Sequence, residues 1–251
     1  MPNPSRSLSK VPAVTMLFWV IKILATTLGE TGGDAVSMSM ELGYLVSTCI
    51  FSVIFLVAVA VQIRSRTFKP ATYWITIVAT TTVGTTLADF ADRSLGIGYA
   101  GGSSLLLALL ALSLFVWYRS LGTIAVASVT SPGAEAFYWL TIMFSQTLGT
   151  ALGDWVADTE DFGYAASTLL FGSLLLVLAL AYYWTSLSRT LLFWGAFILT
   201  RPLGAVVGDL LDKPLEDGGL ELSRFAASAV LILLMVFFIG MFRQKAAAPQ
   251  P

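Results

Sequence analysis

Four carboxylates recur at one register position in this 251-residue chain: Asp34, Asp89, Asp154 and Asp209 each lie fifteen residues after a tryptophan, at Trp19, Trp74, Trp139 and Trp194. Offsets seven and eleven from the same tryptophans hold Thr26 and Glu30, Thr81 and Thr85, Gln146 and Thr150, and Arg201 and Ala205. Residues four apart stack on one helix face, so each stretch carries a polar line ending in a carboxylate. Carboxylates, hydroxyls and an amide are oxygen donors, the ligand set of hard cations such as Mg²⁺, Mn²⁺ or Ca²⁺. The chain has no histidine and one cysteine, Cys49. That removes the usual ligands for Zn²⁺ or Cu⁺, the commonest general base, and any disulfide framework. The metal, if one binds, is left unspecified, and no cofactor is expected.

The candidate ion-binding set is Glu30, Asp34, Asp89, Asp154, Asp209, Thr26, Thr81, Gln146 and Arg201. At the helical rise, Glu30 lies about 16 Å beyond Trp19 and each aspartate about 22 Å beyond its tryptophan. Arg201 and Glu30 differ by four register positions, about 6 Å along the axis, so they are expected to pair across the interior. Pro202 follows Arg201 and should kink that helix, freeing a carbonyl near Ile198. Lys22 is expected to snorkel to the inner interface.

Beside the polar line run small residues at offsets ten and fourteen: Gly29 and Gly33, Gly84 and Ala88, Gly149 and Gly153, Gly204 and Gly208. Four-residue spacing puts both on one face and lets helix backbones approach closely, so a packing role is expected of these residues. The four tryptophans are expected to act as interface anchors, since amphipathic aromatics collect at the membrane boundary.

These residues must be positioned by membrane-spanning helices. The chain is 57% apolar and only 12% charged, whereas a soluble domain carries about 25% charged residues. A net charge of −1 suggests no nucleic-acid partner. Each repeat holds two apolar stretches long enough to span roughly 30 Å of hydrocarbon. The first are about 14–33, 71–88, 136–153 and 190–208, and the second about 42–63, 100–117, 164–184 and 225–242. The apolar run near the N-terminus is not read as a signal peptide, because its pattern recurs three times within the chain.

The expected fold class is an all-α membrane protein of about eight transmembrane helices, built as four parallel two-helix repeats in two duplicated halves. The tryptophans are 55, 65 and 55 apart, so repeats one and three, and two and four, are related by a shift of 120 residues. Repeats one and three share Gly43-Tyr44 and Gly163-Tyr164, while repeats two and four share Asp92-Arg93 and Asp212-Lys213. The expected divisions are an N-terminal tail (1–13), a first half (14–121), a Ser/Thr/Pro/Gly-rich linker (122–134), a second half (135–243) and a C-terminal tail (244–251). Arg6, Lys10, Arg64, Arg66, Lys69, Arg119, Arg189, Arg243 and Lys245 fall in the tails and between repeats, against Arg93, Lys213 and Arg224 in the loops within repeats. The positive-inside rule then makes both termini cytoplasmic. The opposite loops are acidic, with Glu41, Asp92, Asp158, Glu160, Asp161, Asp212, Glu216, Asp217 and Glu221.

The tryptophan–glycine–aspartate register, running from about Phe18 to Phe242, resembles a bacterial family of membrane proteins defined by four tandem repeats of unknown function. Each repeat in that family has two transmembrane segments and a characteristic tryptophan. Repeat four departs at Arg201-Pro202, where the others read Thr26-Thr27, Thr81-Thr82 and Gln146-Thr147. The resemblance implies a multi-pass protein of the bacterial cytoplasmic (inner) membrane and names no substrate.

From the residues, the expected function is a transporter or channel for a small cation, with protons coupled through the intramembrane carboxylates. The expected partners are the lipid bilayer and a small cation or proton, with room for a homo-oligomer. A non-transporting assembly protein is the alternative, since packing motifs explain much of the pattern. An intramembrane aspartyl hydrolase is the less favoured third reading, because a dyad needs two carboxylates sharing a proton at about 3 Å. The chain is therefore expected not to be an enzyme.

Overall fold

Runs of about twenty residues without an internal break, separated by short Gly-, Pro- and Ser-bearing segments, leave helices as the economical solution for this chain. The structure is a computed structural model that describes residues 9–159 and 162–248. Residues 1–8 and 249–251 of the expected tails, with Arg6, and the loop residues Glu160 and Asp161 lie outside the described residues. The fold is all helical: α1 (Met16–Asp34), α2 (Gly43–Arg64), α3 (Pro70–Asp89), α4 (Tyr99–Leu121), α5 (Pro132–Thr159), α6 (Gly163–Trp184), α7 (Arg189–Asp212) and α8 (Arg224–Met241). Among the described residues there is no β-strand, only an isolated antiparallel bridge between Pro12 and Ala246. Gly43 and Gly163, one at the start of each of two second helices, have φ of 74° and 70°, a left-handed turn that favours glycine.

Five helices, α2, α4, α6, α7 and α8, are long and apolar enough to cross a membrane. The first helices α1, α3 and α5 carry more threonine and carboxylate, and they lie inside. α1 packs on α3, α3 on α5, α5 on α7, and α7 back on α1, which closes a ring. Each second helix packs against the first helix of the following repeat: α2 on α3, α4 on α5, α6 on α7, and α8 on α1. The outer helices leave apolar residues such as Val53, Leu107, Leu176 and Leu233 exposed, the surface a bilayer would cover.

The ring repeats its contacts with little change. The aromatic residue before each tryptophan packs on the tryptophan of the next repeat. Ring centroids are 5.4 Å apart for Phe18–Trp74, 5.7 Å for Tyr73–Trp139, 6.3 Å for Tyr138–Trp194 and 5.9 Å for Phe193–Trp19. The interface-anchor expectation concerned level along the helix, and at that level the rings pack on one another. Trp74, Trp139 and Trp194 are buried in this aromatic cluster, and Trp19 is partly buried against it. Their indoles fill one end of the helix ring, where burial removes a large apolar area from solvent. Trp74 Nε1 donates to Gln244 Oε1 at 2.9 Å and Trp194 Nε1 to the Ile124 carbonyl at 3.0 Å.

The segment before α1 is not a free tail. Ser9, Lys10 and Val11 are buried, and Lys10 forms a 2.6 Å ion pair with Glu135 at the start of α5. Residues 11–13 pair with residues 245–247 through bonds of 2.8 Å from Ala13 N to Lys245 O and from Ala247 N to Val11 O.

Candidate functional site

Small residues on each first helix meet the polar line of the next. Gly29 faces Thr81 and Gly33 faces Thr85, while Gly84 faces Gln146 and Thr147. Gly149 faces Arg201, Gly153 faces Ala205, Gly204 faces Thr26 and Gly208 faces Glu30. The spaces are tight: a Cβ on Gly84 would fall 3.0 Å from the Thr147 nitrogen, and one on Gly208 would fall 2.7 Å from Glu30 Cβ. Ala88 is buried at the remaining position of this set.

This packing stacks buried layers inside the ring. Lys22, Ile77, Ile142 and Phe197 form one layer, three residues after the tryptophans. Thr26, Thr81, Gln146 and Arg201 form the next, followed by Glu30, Thr85, Thr150 and Ala205. Asp34, Asp89, Asp154 and Asp209 form the last, each no more than 3% exposed. One end of the ring is thus aromatic and aliphatic, and the other is lined with oxygen.

Arg201 joins the four repeats. Its Nη2 lies 2.8 Å from Glu30 Oε2 and also hydrogen-bonds the hydroxyls of Thr85 and Thr150. One nitrogen therefore meets the offset-eleven side chain of each of the other three repeats. The fourth residue at that offset, Ala205, is too small to obstruct it. α7 continues as a helix through Pro202.

Lys22 corrects its expectation. It is fully buried, with Nζ 4.1 Å from the centroid of the Phe197 ring, so it does not reach the interface. The neighbouring aromatic layer stands between it and the end of the ring. Its ammonium instead takes the cation–π contact that Phe197 offers.

At the oxygen end, two cations join the aspartates in pairs. Arg93 Nε lies 3.2 Å from Asp89, and its Nη2 lies 3.2 Å from Asp154 and 3.9 Å from Asp158. Lys213 Nζ lies 3.2 Å from Asp34 and 3.1 Å from Asp209. Arg224 lies 3.2 Å from Asp212 and 3.9 Å from Asp34. Burial disfavours the charge on Lys213, but Asp209 and Asp34 outweigh it and hold the ammonium above the usual lysine range. Asp89 and Asp154 do the same for Arg93.

The two pairs are not equivalent. Below Asp34 and Asp209 stands Glu30, and one oxygen from each of these three buried carboxylates lies within 4.8 Å of the others. Below Asp89 and Asp154 stand only Thr85 and Thr150. The first group has the donor set and spacing to hold a hard cation, and the second is clasped by a forked guanidinium. Asp34 Oδ1, Thr81 Oγ1 and both amide atoms of Gln146 are buried without a hydrogen-bond partner among the described residues. Buried polar atoms of this kind ordinarily meet water or an ion.

Thr26 is part of the column, but its hydroxyl bonds the carbonyls of Lys22, Ile23 and Thr200 at 3.1, 2.9 and 3.3 Å. It is therefore the least available donor of the candidate set. Arg93, Lys213, Thr85, Thr150 and Arg224 are the site residues that the sequence reading left outside its set. The signal for the first two was present, since each lies four residues after a site aspartate and so on the same helix face.

Residues 17–68, 72–123, 137–188 and 192–246 match a family model described as Repeat of Unknown Function (DUF347). No curated protein gives a significant match. No solved structure gives one either.

Proposed function

The chain belongs to the DUF347 repeat family, matched over all four repeats, and from its closed ring we infer a multi-pass membrane transporter or channel for a small cation. In this reading all eight helices cross a bacterial inner membrane as four parallel repeats in two duplicated halves. Both termini are cytoplasmic, an orientation supported by Lys10, Arg64, Arg66, Lys69, Arg119, Arg189, Arg243 and Lys245 clustering away from the aspartate end. The observation that carries the reading is the burial of Glu30, Asp34, Asp89, Asp154 and Asp209 inside the ring, where lipid-facing or headgroup placement would have left them solvated one by one.

The proposed cation site is Glu30, Asp34 and Asp209. Lys213 is the resting counter-ion, and an entering cation or proton displaces its ammonium from the two aspartates. Arg201 then stands as a positive barrier one layer deeper, held by Glu30. Protonation or cation binding at Glu30 would free it. The layer of Lys22, Ile77, Ile142 and Phe197 and the aromatic cluster beyond it form the inner seal.

A second reading, a non-transporting assembly protein, is favoured by one observation: each aspartate of the ring already has a cation partner. Flux measurements on purified protein in liposomes separate the two. The transport reading expects uptake of at least one of Mg²⁺, Mn²⁺, Ca²⁺, K⁺ or Na⁺, lost in Asp34→Asn, Asp209→Asn or Glu30→Gln variants that remain folded. Fluxes equal to those of protein-free liposomes for all five ions would leave the assembly reading.

A further inference from the structure

On the outside of the seam between α7 and α1, a groove of about 1120 Å³ lies against the C-terminal half of α6. Trp19, Ile23, Leu178, Phe193 and Ala196 line it, and among the described residues its only charged lining residues are basic, Arg189 and Lys245. Arg189 is held at its place by the Tyr182 carbonyl and by the Tyr182 ring, 4.2 Å from its guanidinium carbon. Leu176, also in the lining, is 58% exposed, and the adjoining Val177 is 60% exposed, so the groove opens onto the apolar outer face of the bundle.

The duplicated half gives the comparison. Shifted by 120 residues, Tyr182 and Tyr183 correspond to Gln62 and Ile63 at the end of α2. There the chain covers itself: Lys10 Nζ donates to the carbonyls of Gln62, Ile63 and Ser65 at 3.1, 2.9 and 2.8 Å. Gln62 is 2% exposed, whereas Tyr182 is 44% and Tyr183 74% exposed. One half therefore carries its own cover at this position, and the other presents an apolar groove with a basic rim.

We propose that the groove between α6, α7 and α1 seats an anionic phospholipid, its acyl chains along α6 and α7 and its phosphate between Arg189 and Lys245. Continuity with the lipid-facing surface selects an acyl-chain ligand, and the all-basic rim selects an anionic headgroup. The lipid then braces the seam that carries Arg201 and Glu30, since Thr200, whose carbonyl accepts from Thr26 across that seam, also lines the groove. The proposal rests on the protein lying in a bilayer, and it is independent of whether an ion is transported.

The test is native mass spectrometry of the purified full-length protein with phosphatidylglycerol and phosphatidylcholine of identical chains. Two basic residues near a headgroup predict a preference for phosphatidylglycerol of about tenfold or more. Arg189→Gln/Lys245→Gln should bring the two lipids close to parity. Ala179→Trp, which fills the groove from the exposed α6 side, should lower retention of both, with unchanged melting in detergent showing an intact fold. Soluble glycerol 1-phosphate should not compete. Equal retention of both lipids by the unaltered protein would overturn the proposal. So would a preference that survives the double substitution, retention unaffected by Ala179→Trp, or full competition by glycerol 1-phosphate.

Discussion

Arg201 Nη2 stands 2.8 Å from Glu30 Oε2, with both side chains shut away from solvent, and they belong to the fourth and first repeats, which meet only because the ring closes. Removing one partner leaves an uncompensated buried charge, which costs on the order of 3–5 kcal/mol. Arg201→Met alone and Glu30→Met alone should each be strongly destabilising, while the two together should recover much of the loss. A double-mutant cycle on chemical or thermal unfolding in detergent measures this. Additive effects would mean that the two side chains do not stabilise each other.

The glycine seams should resist even a methyl group. A Cβ on Gly149 would fall 2.5 Å from Arg201 Cβ, and one on Gly204 would fall 2.8 Å from the Thr26 carbonyl carbon. Overpacking of this kind costs about 1–3 kcal/mol or more. Gly32 and Gly172 have nothing within 4 Å of the same position. Alanine there should stabilise by roughly 0.5–1 kcal/mol, because only the conformational freedom of glycine is lost. The opposite signs, read from melting temperatures, distinguish a seam from a generic helix preference.

In the aromatic cluster, the Tyr73 and Tyr138 hydroxyls lie 2.6 Å apart and fully buried. Tyr73→Phe or Tyr138→Phe singly should cost about 1–3 kcal/mol by stranding the remaining hydroxyl, whereas the double phenylalanine variant should be nearly neutral. A double variant that loses the sum of the two single losses would show that the hydroxyl pair contributes no coupling.

Asp92 sits in the π-helical segment Phe90–Ser94 that continues α3, against Gly102 of α4. Burial pushes its carboxyl above the usual aspartate range, with Arg93 opposing. A raised folded-state pKa means that the folded protein holds the proton more tightly than the unfolded chain. Its contribution is therefore fully present below the unfolded value of about 3.9 and is lost as pH rises through the folded value. Asp92→Asn should melt higher than the unaltered protein near pH ~8, with the gap closing towards pH ~4. A gap that widens on acidification would contradict the assignment.

Much of the fold is legible in the sequence because period and length are intrinsic to each segment. Two apolar stretches per repeat become two helices, and the offsets ten and fourteen mark the close-approach face. What the pattern withholds is the partner. A helical stripe says which residues share a face, but only closure of the ring makes Gly204 the neighbour of Thr26, or gives Glu30, Thr85 and Thr150 one shared nitrogen. Hydropathy also reports level along the helix and not radial direction. Trp74, Trp139, Trp194 and Lys22, read as interface residues from their level, are instead buried within the bundle. Arg93 and Lys213 read in the sequence as loop charges, yet each stands one turn beyond an aspartate that it clasps.

The handing of each second helix to the following repeat, completed by α8 on α1, gives the assembly no topological start. Segments 11–13 and 245–247 already lie side by side, hydrogen-bonded to one another. A circular permutant joined there and opened in the segment between α4 and α5 would keep the helix-to-helix contacts between repeats, with repeat three leading. Deleting one whole repeat would instead break the cycle at two seams, so the natural unit of loss is the complete circle.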